Sequence, residues 1–186
     1  WFGTDYGVFL LENKSSRFKH YTNDPKDKTS LSNNFVSKIF VDSRNNIWMG
    51  TRDGLNLLNK TNNTFKRFDT SNGLPNNSIM DVLESDEGDL WLSTSGGLCK
   101  LSVQYTEEGH YHDHYTINFN ETDGLQGREF NEGSALKTSK AELIFGGSNG
   151  FNLFKPEKKY QLDEPLKTFI FGMTVFGKEF KLDDKN

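Results

Sequence analysis

Asn46-Ile47-Trp48-Met49-Gly50-Thr51-Arg52-Asp53-Gly54-Leu55 occurs three more times in this chain, edited but recognisable. Downstream it is Asp89-Leu90-Trp91-Leu92-Ser93-Thr94-Ser95-Gly96-Gly97-Leu98, and the chain opens inside a copy, Trp1-Phe2-Gly3-Thr4-Asp5-Tyr6-Gly7-Val8. A worn fourth copy is Glu142-Leu143-Ile144-Phe145-Gly146-Gly147-Ser148-Asn149-Gly150-Phe151. The last glycines, Gly7, Gly54, Gly97 and Gly150, stand 47, 43 and 53 residues apart. A period of about 45 residues signals a repeat architecture.

Each copy is an apolar run, a turn holding glycine and a second apolar run (residues 8–11, 55–58, 98–101 and 151–154), which is a β-hairpin signature. The glycine ending each turn marks a place for positive φ, open to a residue without Cβ. To the left, residues 31–42 align with residues 74–85 at a constant offset of 43. Their apolar positions, Val36, Ile39, Phe40 and Val41, then Ile79, Met80, Val82 and Leu83, lack strict alternation. A strand covered on both faces has this pattern, whereas one half in water alternates. Polar turns at 42–46 and 85–89 follow, of the hairpin kind. To the right, residues 64–68 are matched by 17–21 and 115–119. Four short strands per unit of about 45 residues, apolar on both faces, describe one blade of a β-propeller. Helical and leucine-rich repeats fail for want of a stripe at period 3.6, and immunoglobulin-like sandwiches do not repeat internally at this similarity. The expected fold is therefore all-β, a β-propeller fragment built of four-stranded antiparallel blades.

Composition agrees with a well-packed, hydrated domain. Sixteen Phe, six Tyr and three Trp supply apolar area, while 26% charged residues and a mean hydropathy of −0.72 keep the surface wet. The net charge of −4 and the lack of a basic face argue against nucleic acid as a partner. No apolar run approaches the roughly 20 residues of a membrane span, and the opening on Trp1 in mid-repeat is no signal peptide. The chain reads as part of something larger. Propellers close with about four to eight blades, so this arc is expected to leave blade faces open and to self-associate or recruit another copy.

In order, residues 1–22 finish a blade that lacks its first strand, and residues 22–30 form a polar connector. Blade two is expected over roughly 31–69, blade three over 74–119 and blade four over 125–158. Blade three carries an insertion, residues 103–115, holding His110, His112 and His114. The propeller part is assigned to residues 1–160, and residues 161–186 to a linker and the first strands of a second β-domain, with residues 166–180 read as a hairpin or strand pair.

These residues resemble the two-component regulator propeller family, which forms periplasmic sensor regions of hybrid two-component systems in Bacteroides-type bacteria. The matching features are the Leu-x-Asn-x-x-Val/Ile segments at Leu31 and Leu74, the Ile/Leu-Trp-x-Gly/Ser-Thr runs and the Gly-Leu after each. Residues 124–133 with 144–151 resemble that family's last blade, and residues 165–178 the first strand of the immunoglobulin-like Y_Y_Y domain that follows it. The resemblance implies a periplasmic location, a parent anchored in the inner membrane, a carbohydrate signal and a cytoplasmic histidine kinase. No kinase or receiver residues are present, so no catalytic residue and no cofactor are expected here.

In a propeller the turns between strands two and three share a face with the connectors between blades, and that face usually takes the ligand. It would collect Asp5, Tyr6, Asn33, Asn34, Arg52, Asp53, Asn76, Asn77, Ser95, Arg128, Glu129, Asn131, Ser148 and Asn149. The candidate ligand set is Arg52, Asp53, Asn76, Asn77, Arg128, Glu129, Asn131 and Asn149, since amides and carboxylates suit sugar hydroxyls and Arg can clamp a carboxylate or sulfate. The bland alternative is that the repeated Asn and Asp residues only cap turns. Arg52 and Arg128, which break the repeat, are better candidates than residues that obey it. The turns 42–46 and 86–89 lack the spacing of a 12-residue calcium loop. His110, His112 and His114 would share one face of a strand, a spacing tolerable for a transition metal, but in an insertion a solvated loop or hairpin tip is the expectation, and no metal is assigned. Cys99 is the only cysteine, with Phe9, Asn56 and Asn152 opposite it in the copies, so it is read as a packing residue.

Two further classes of function stay open beside the sensor. A propeller glycosidase would need a carboxylate pair ~5–10 Å apart in a pocket, and a sialidase-type site would need clustered arginines, whereas Arg17, Arg44, Arg52, Arg67 and Arg128 lie at different blade positions. A propeller that binds only other proteins has no distinguishing residues.

Overall fold

The computed structural model describes residues 1–12, 17–156, 173–175 and 178–180. The expected blades appear as four antiparallel sheets. Blade one has three strands, β1 (Phe2–Thr4), β2 (Gly7–Leu11) and β3 (Phe18–Tyr21). Blade two is β4 (Val36–Val41), β5 (Ile47–Thr51), β6 (Gly54–Asn59) and β7 (Thr64–Phe68). Blade three repeats it as β8 (Ile79–Glu84), β9 (Leu90–Thr94), β10 (Gly97–Tyr105) and β11 (Tyr111–Phe119). Blade four shows β12 (Phe130–Lys137), β13 (Leu143–Gly147) and β14 (Gly150–Phe154). Each sheet is a meander of sequential neighbours.

The repeated tryptophan has one job. Trp48 packs into a core shared with Leu74, Ile79 and Val82 of blade three. Trp91, one repeat later, packs with Phe130, Leu143 and Phe145 of blade four, and Trp1 packs with Leu31, Val36 and Met49 of blade two. Thus each tryptophan faces the blade that follows. The next residue in β5 and β9 points the other way, as period two requires, so Met49 joins the blade-one core and Leu92 the blade-two core. Both faces of the central blades are buried, which is why their strands read as unbroken apolar runs. The glycine that ends the first two of these tryptophan runs lets the following inner strand approach; Ser93 stands there in the third. A Cβ on Gly50 would stand 2.8 Å from Ile79 Cγ2, and one on Gly3 would stand 3.0 Å from Val36 Cγ1.

Polar contacts tie the inner strands together. Ser37 donates to the Ile79 carbonyl at 2.6 Å, and Lys38 pairs with the buried Asp81 carboxylate at 2.5 Å. At the far end of the same strands Ser43 donates from its amide and hydroxyl to Glu84.

Blades two and three are joined through a single 3-10 turn, Thr70–Asn72, capped by Asp69 and ended by left-handed Gly73. Asn120, Glu121–Asp123 and Gly124 build the same device before blade four. Each cap accepts an amide hydrogen two residues on, and the residue three on returns a bond to the cap's own amide, a capping box.

The chain divides into two units, Trp1–Pro156 and Glu157–Asn186. In the second, β15 (Met173–Val175) and β16 (Lys178–Phe180) pair antiparallel. Residues 157–172, where the end of blade four and most of the linker were expected, lie outside the described residues.

The insertion in blade three takes the hairpin form of the expectation: β10 and β11 both extend, paired out to Tyr105 with Tyr111, so His110 lies at the exposed tip while His112 and His114 are strand residues. His114 is half-buried, bonds Tyr111 Oη at 2.9 Å and the Asn72 carbonyl at 3.1 Å, and meets the Phe68 ring edge-on at 5.0 Å. Its ring is occupied by packing between blades two and three.

Candidate ligand-binding rim

The turn after the tryptophan strand is built identically in three blades. Thr4, Thr51 and Thr94 each donate to the carbonyl of the turn-ending glycine, at 2.9, 2.8 and 2.8 Å. Each threonine hydroxyl also accepts an amide from inside the turn. Gly7, Gly54 and Gly97 have φ of 111°, 108° and 120°, and a Cβ on any of them would lie within 2.4 Å of the last carbonyl of the fourth strand. The amides of Gly7 and Gly54 donate to Asn34 and Asn77 of the next connector, both at 2.7 Å. Turn and connector thus share one rim, as expected.

The candidate side chains are spent in part on that architecture. Asn76 accepts the Ser78 amide at 2.8 Å, as Asn33 accepts that of Phe35. Asn77 accepts the Thr70 amide and donates to Asp53 at 2.9 Å, joining two of the candidates. Arg52 lies exposed on the Phe35 ring, its guanidinium carbon 3.6 Å from the centroid. In blade four Arg128 pairs with Glu121 at 3.0 Å; the Glu121 carboxyl is held below its usual range first by its own backbone amide and then by Arg128. The Asn149 backbone amide donates to the Gln126 side-chain oxygen, and the Gln126 side-chain amide donates to the Glu129 carbonyl. Asn131 is exposed on β12, where the pairing slips between Phe130 and Ala135 and residues 131–134 stand out of register. The candidates therefore form two groups, one at the junction of blades two and three (Arg52, Asp53, Asn76, Asn77) and one on blade four (Arg128, Glu129, Asn131, Asn149).

Gln126 was passed over, although it fills the space beside Gly147 that a threonine fills in the other blades. Asn56 was also missed. It is fully buried, takes the Ser32 amide at 2.9 Å and returns its own amide to the Ser32 hydroxyl at 2.8 Å, locking the connector to the blade. Its counterpart Cys99 is equally buried, and burial pushes its thiol up to about 12 from 9.0, so it is an unreactive packing group.

Residues 30–53 and 73–96 both match the family described as two component regulator propeller. The matched segments each run from the connector through the inner strand and the tryptophan strand into the turn. One match falls in blade two and the other in blade three. Over 85% of its length the chain is 26% identical to Histidine kinase P4 of Formosa agariphila, of which it covers 15%. Among solved structures it is similar to the extracellular domain assigned to the hybrid two component system BT3049 of B. thetaiotaomicron, at 18% identity and a TM-score of 0.49, over 98% of this chain and 31% of that one. It is also similar to the extracellular domain of the one component system BT4673 from the same organism, at 21% identity and a TM-score of 0.33, over 82% and 20% of the two chains. The chain thus spans a small part of each of these relatives. Among the described residues no helix is long and apolar enough to cross a membrane.

Proposed function

We propose that this chain is a non-catalytic, ligand-sensing segment in the periplasmic region of a two-component sensor histidine kinase, and that its ligand is an oligosaccharide. The observation that carries this is the match of residues 30–53 and 73–96 to the two component regulator propeller, beside an alignment over 85% of the chain to a protein named as a histidine kinase. Arg52 with Asp53, and Arg128 with Glu129 and Asn149, supply exposed charged and amide groups that suit sugar hydroxyls and acidic substituents, and half-buried Asn77 stands beside the first pair. Binding across blades would be passed on by rigid-body rearrangement of packed sheets.

The end faces of the arc suit further blades of the same parent chain. Phe2 and Phe18 on blade one are 53% and 58% exposed, and Leu136 and Phe151 on blade four 60% and 65%. Equivalent positions in the central blades are covered by their neighbours. The second unit, with its β15–β16 pair, is assigned to the beginning of a Y_Y_Y domain.

Calorimetric titration of oligosaccharides into the complete extracytoplasmic region, with chromatography of the sugar afterwards, tests the proposal. Heat of binding with intact sugar is expected. Cleaved sugar would make the protein an enzyme, and no sugar binding at all would leave a protein-interaction propeller.

A further inference from the structure

The long β10–β11 hairpin has a consequence on the opposite rim. The turns at 42–46 and 59–63 of blade two emerge at the ends of their strands away from Arg52 and Asp53. There the hairpin of blade three, extended by its insertion, leans over them and walls a cavity of about 450 Å³. A volume of that size falls in the range of ~300–1,000 Å³ typical of small-ligand sites. Arg44, Lys60 and Lys66 line it from blade two, and Tyr105, His110 and Tyr111 from the hairpin.

The cavity wall carries more cations than carboxylates, with Asp42 and Glu84 acting on the Tyr105 hydroxyl from outside the lining. Glu108 is its one lining carboxylate among the described residues, and its carboxyl is held below the usual range first by its own backbone amide and then by the Thr106 side chain, so it is engaged by the hairpin tip. Arg44 lies 5.0 Å from the centroid of the Tyr105 ring and Lys66 lies 5.3 Å from that of Tyr111. Neither takes part in the four ion pairs found among the described residues. Rings hold both cations in place from one side without using their hydrogen-bond donors. Asn46 steadies Tyr105 through its hydroxyl at 3.2 Å, and Tyr111 is steadied by His114 and Phe68.

We propose that this cavity binds a carboxylate-bearing saccharide: the acidic group sits between Arg44 and Lys66, and the ring hydroxyls face Asn59 and Thr61 on the β6–β7 turn. The location follows from the cavity alone, whereas the saccharide class rests on the sensing role proposed above. Among the described residues only blade three shows such an extended hairpin, so only one of the described blade junctions is furnished this way.

The test is titration of trigalacturonate, its fully methyl-esterified form and neutral maltotriose into the chain at low and at physiological salt. Trigalacturonate is expected to bind, more weakly as salt rises, and the ester and maltotriose to bind at least ~10-fold more weakly, the equivalent of one charge-assisted contact. Arg44→Glu with Lys66→Glu is expected to abolish the charge preference; should that variant fail to fold by circular dichroism, Lys66→Gln alone is expected to weaken trigalacturonate about 3-fold. Equal affinity for acid and ester, or undiminished binding by the variants, overturns the proposal. Loss of binding on Arg52→Glu with Arg128→Glu but not on the Arg44 and Lys66 changes also overturns it, while leaving the sensing role standing on the other rim.

Discussion

The amide of Ser32 donates to the Asn56 side-chain oxygen at 2.9 Å, and one repeat later, at the same separation along the chain, Pro75 and Cys99 stand in those two places. Blade four keeps the bond as Gln126 to Asn152, also 2.9 Å. Proline has no amide hydrogen to give, and a buried asparagine opposite it would hold an unsatisfied acceptor. Cysteine fills the site as a small apolar group. Cys99→Asn alone is therefore expected to cost ~1–3 kcal/mol, and adding Pro75→Ser to recover ~1 kcal/mol or more of it. A double-mutant cycle by urea unfolding reads this coupling directly; strictly additive losses would contradict it.

Gly54 and Gly150 share a left-handed backbone, with φ of 108° and 126°, but not their surroundings. A Cβ on Gly54 would lie 2.4 Å from the Phe68 carbonyl oxygen, whereas one on Gly150 meets nothing within 4 Å among the described residues. Gly150→Ala should cost only the backbone strain of ~1–3 kcal/mol. Gly54→Ala should cost that and a further ~1–3 kcal/mol for the clash. Melting temperatures of the two variants give the comparison, and equal losses would show that the close approach does not matter.

Asp42 is the buried acceptor of the Trp48 indole hydrogen at 2.9 Å and of the amides of Arg44 and Asn46. In the next repeat Ser85 takes its place, and the buried Trp91 indole nitrogen has no partner among the described residues. Acidity has moved to Asp89, which binds Ser102 and Lys100 instead. Asp42→Ala is expected to destabilise by ~2–4 kcal/mol, through several orphaned donors, and Ser85→Ala by less than ~1 kcal/mol, as for a weak neutral bond. Denaturant midpoints settle the asymmetry.

The open face of blade one is wholly aromatic where Phe2, Phe9 and Phe18 enclose an apolar recess. An apolar face of this kind favours association. Sedimentation velocity is expected to show concentration-dependent association of the chain, reduced by Phe2→Asp with Phe18→Asp. A single monomer species at high concentration would contradict it.

The blades were legible because both periodicities lie in the sequence. Period two within strands and a spacing of 43 between copies of the tryptophan run fix which residues pair and which repeat. The 3-10 connectors were less visible, since Asp69 to Gly73 and Asn120 to Gly124 share a pattern of chemistry and not of identity. The rim was placed by topology, but the work of its side chains was not: whether Asn77 faces solvent or holds Asp53 depends on a neighbour in another blade. The cavity beside Arg44 and Lys66 escaped altogether. Its walls come from two stretches of chain, residues 44–66 and 105–111, and the insertion that builds it breaks the repeat from which everything else was read.

The stacking of blade on blade is tested most directly by nuclear Overhauser contacts across the two junctions where a repeat glycine meets the next inner strand. Strong cross-peaks are expected from Gly3 Hα to the Val36 methyls and from Gly50 Hα to the Ile79 methyls, because both glycines lie against those side chains. Their absence, with Hα–Hα contacts between the tryptophan strands themselves, would place those strands in one continuous sheet and contradict the propeller.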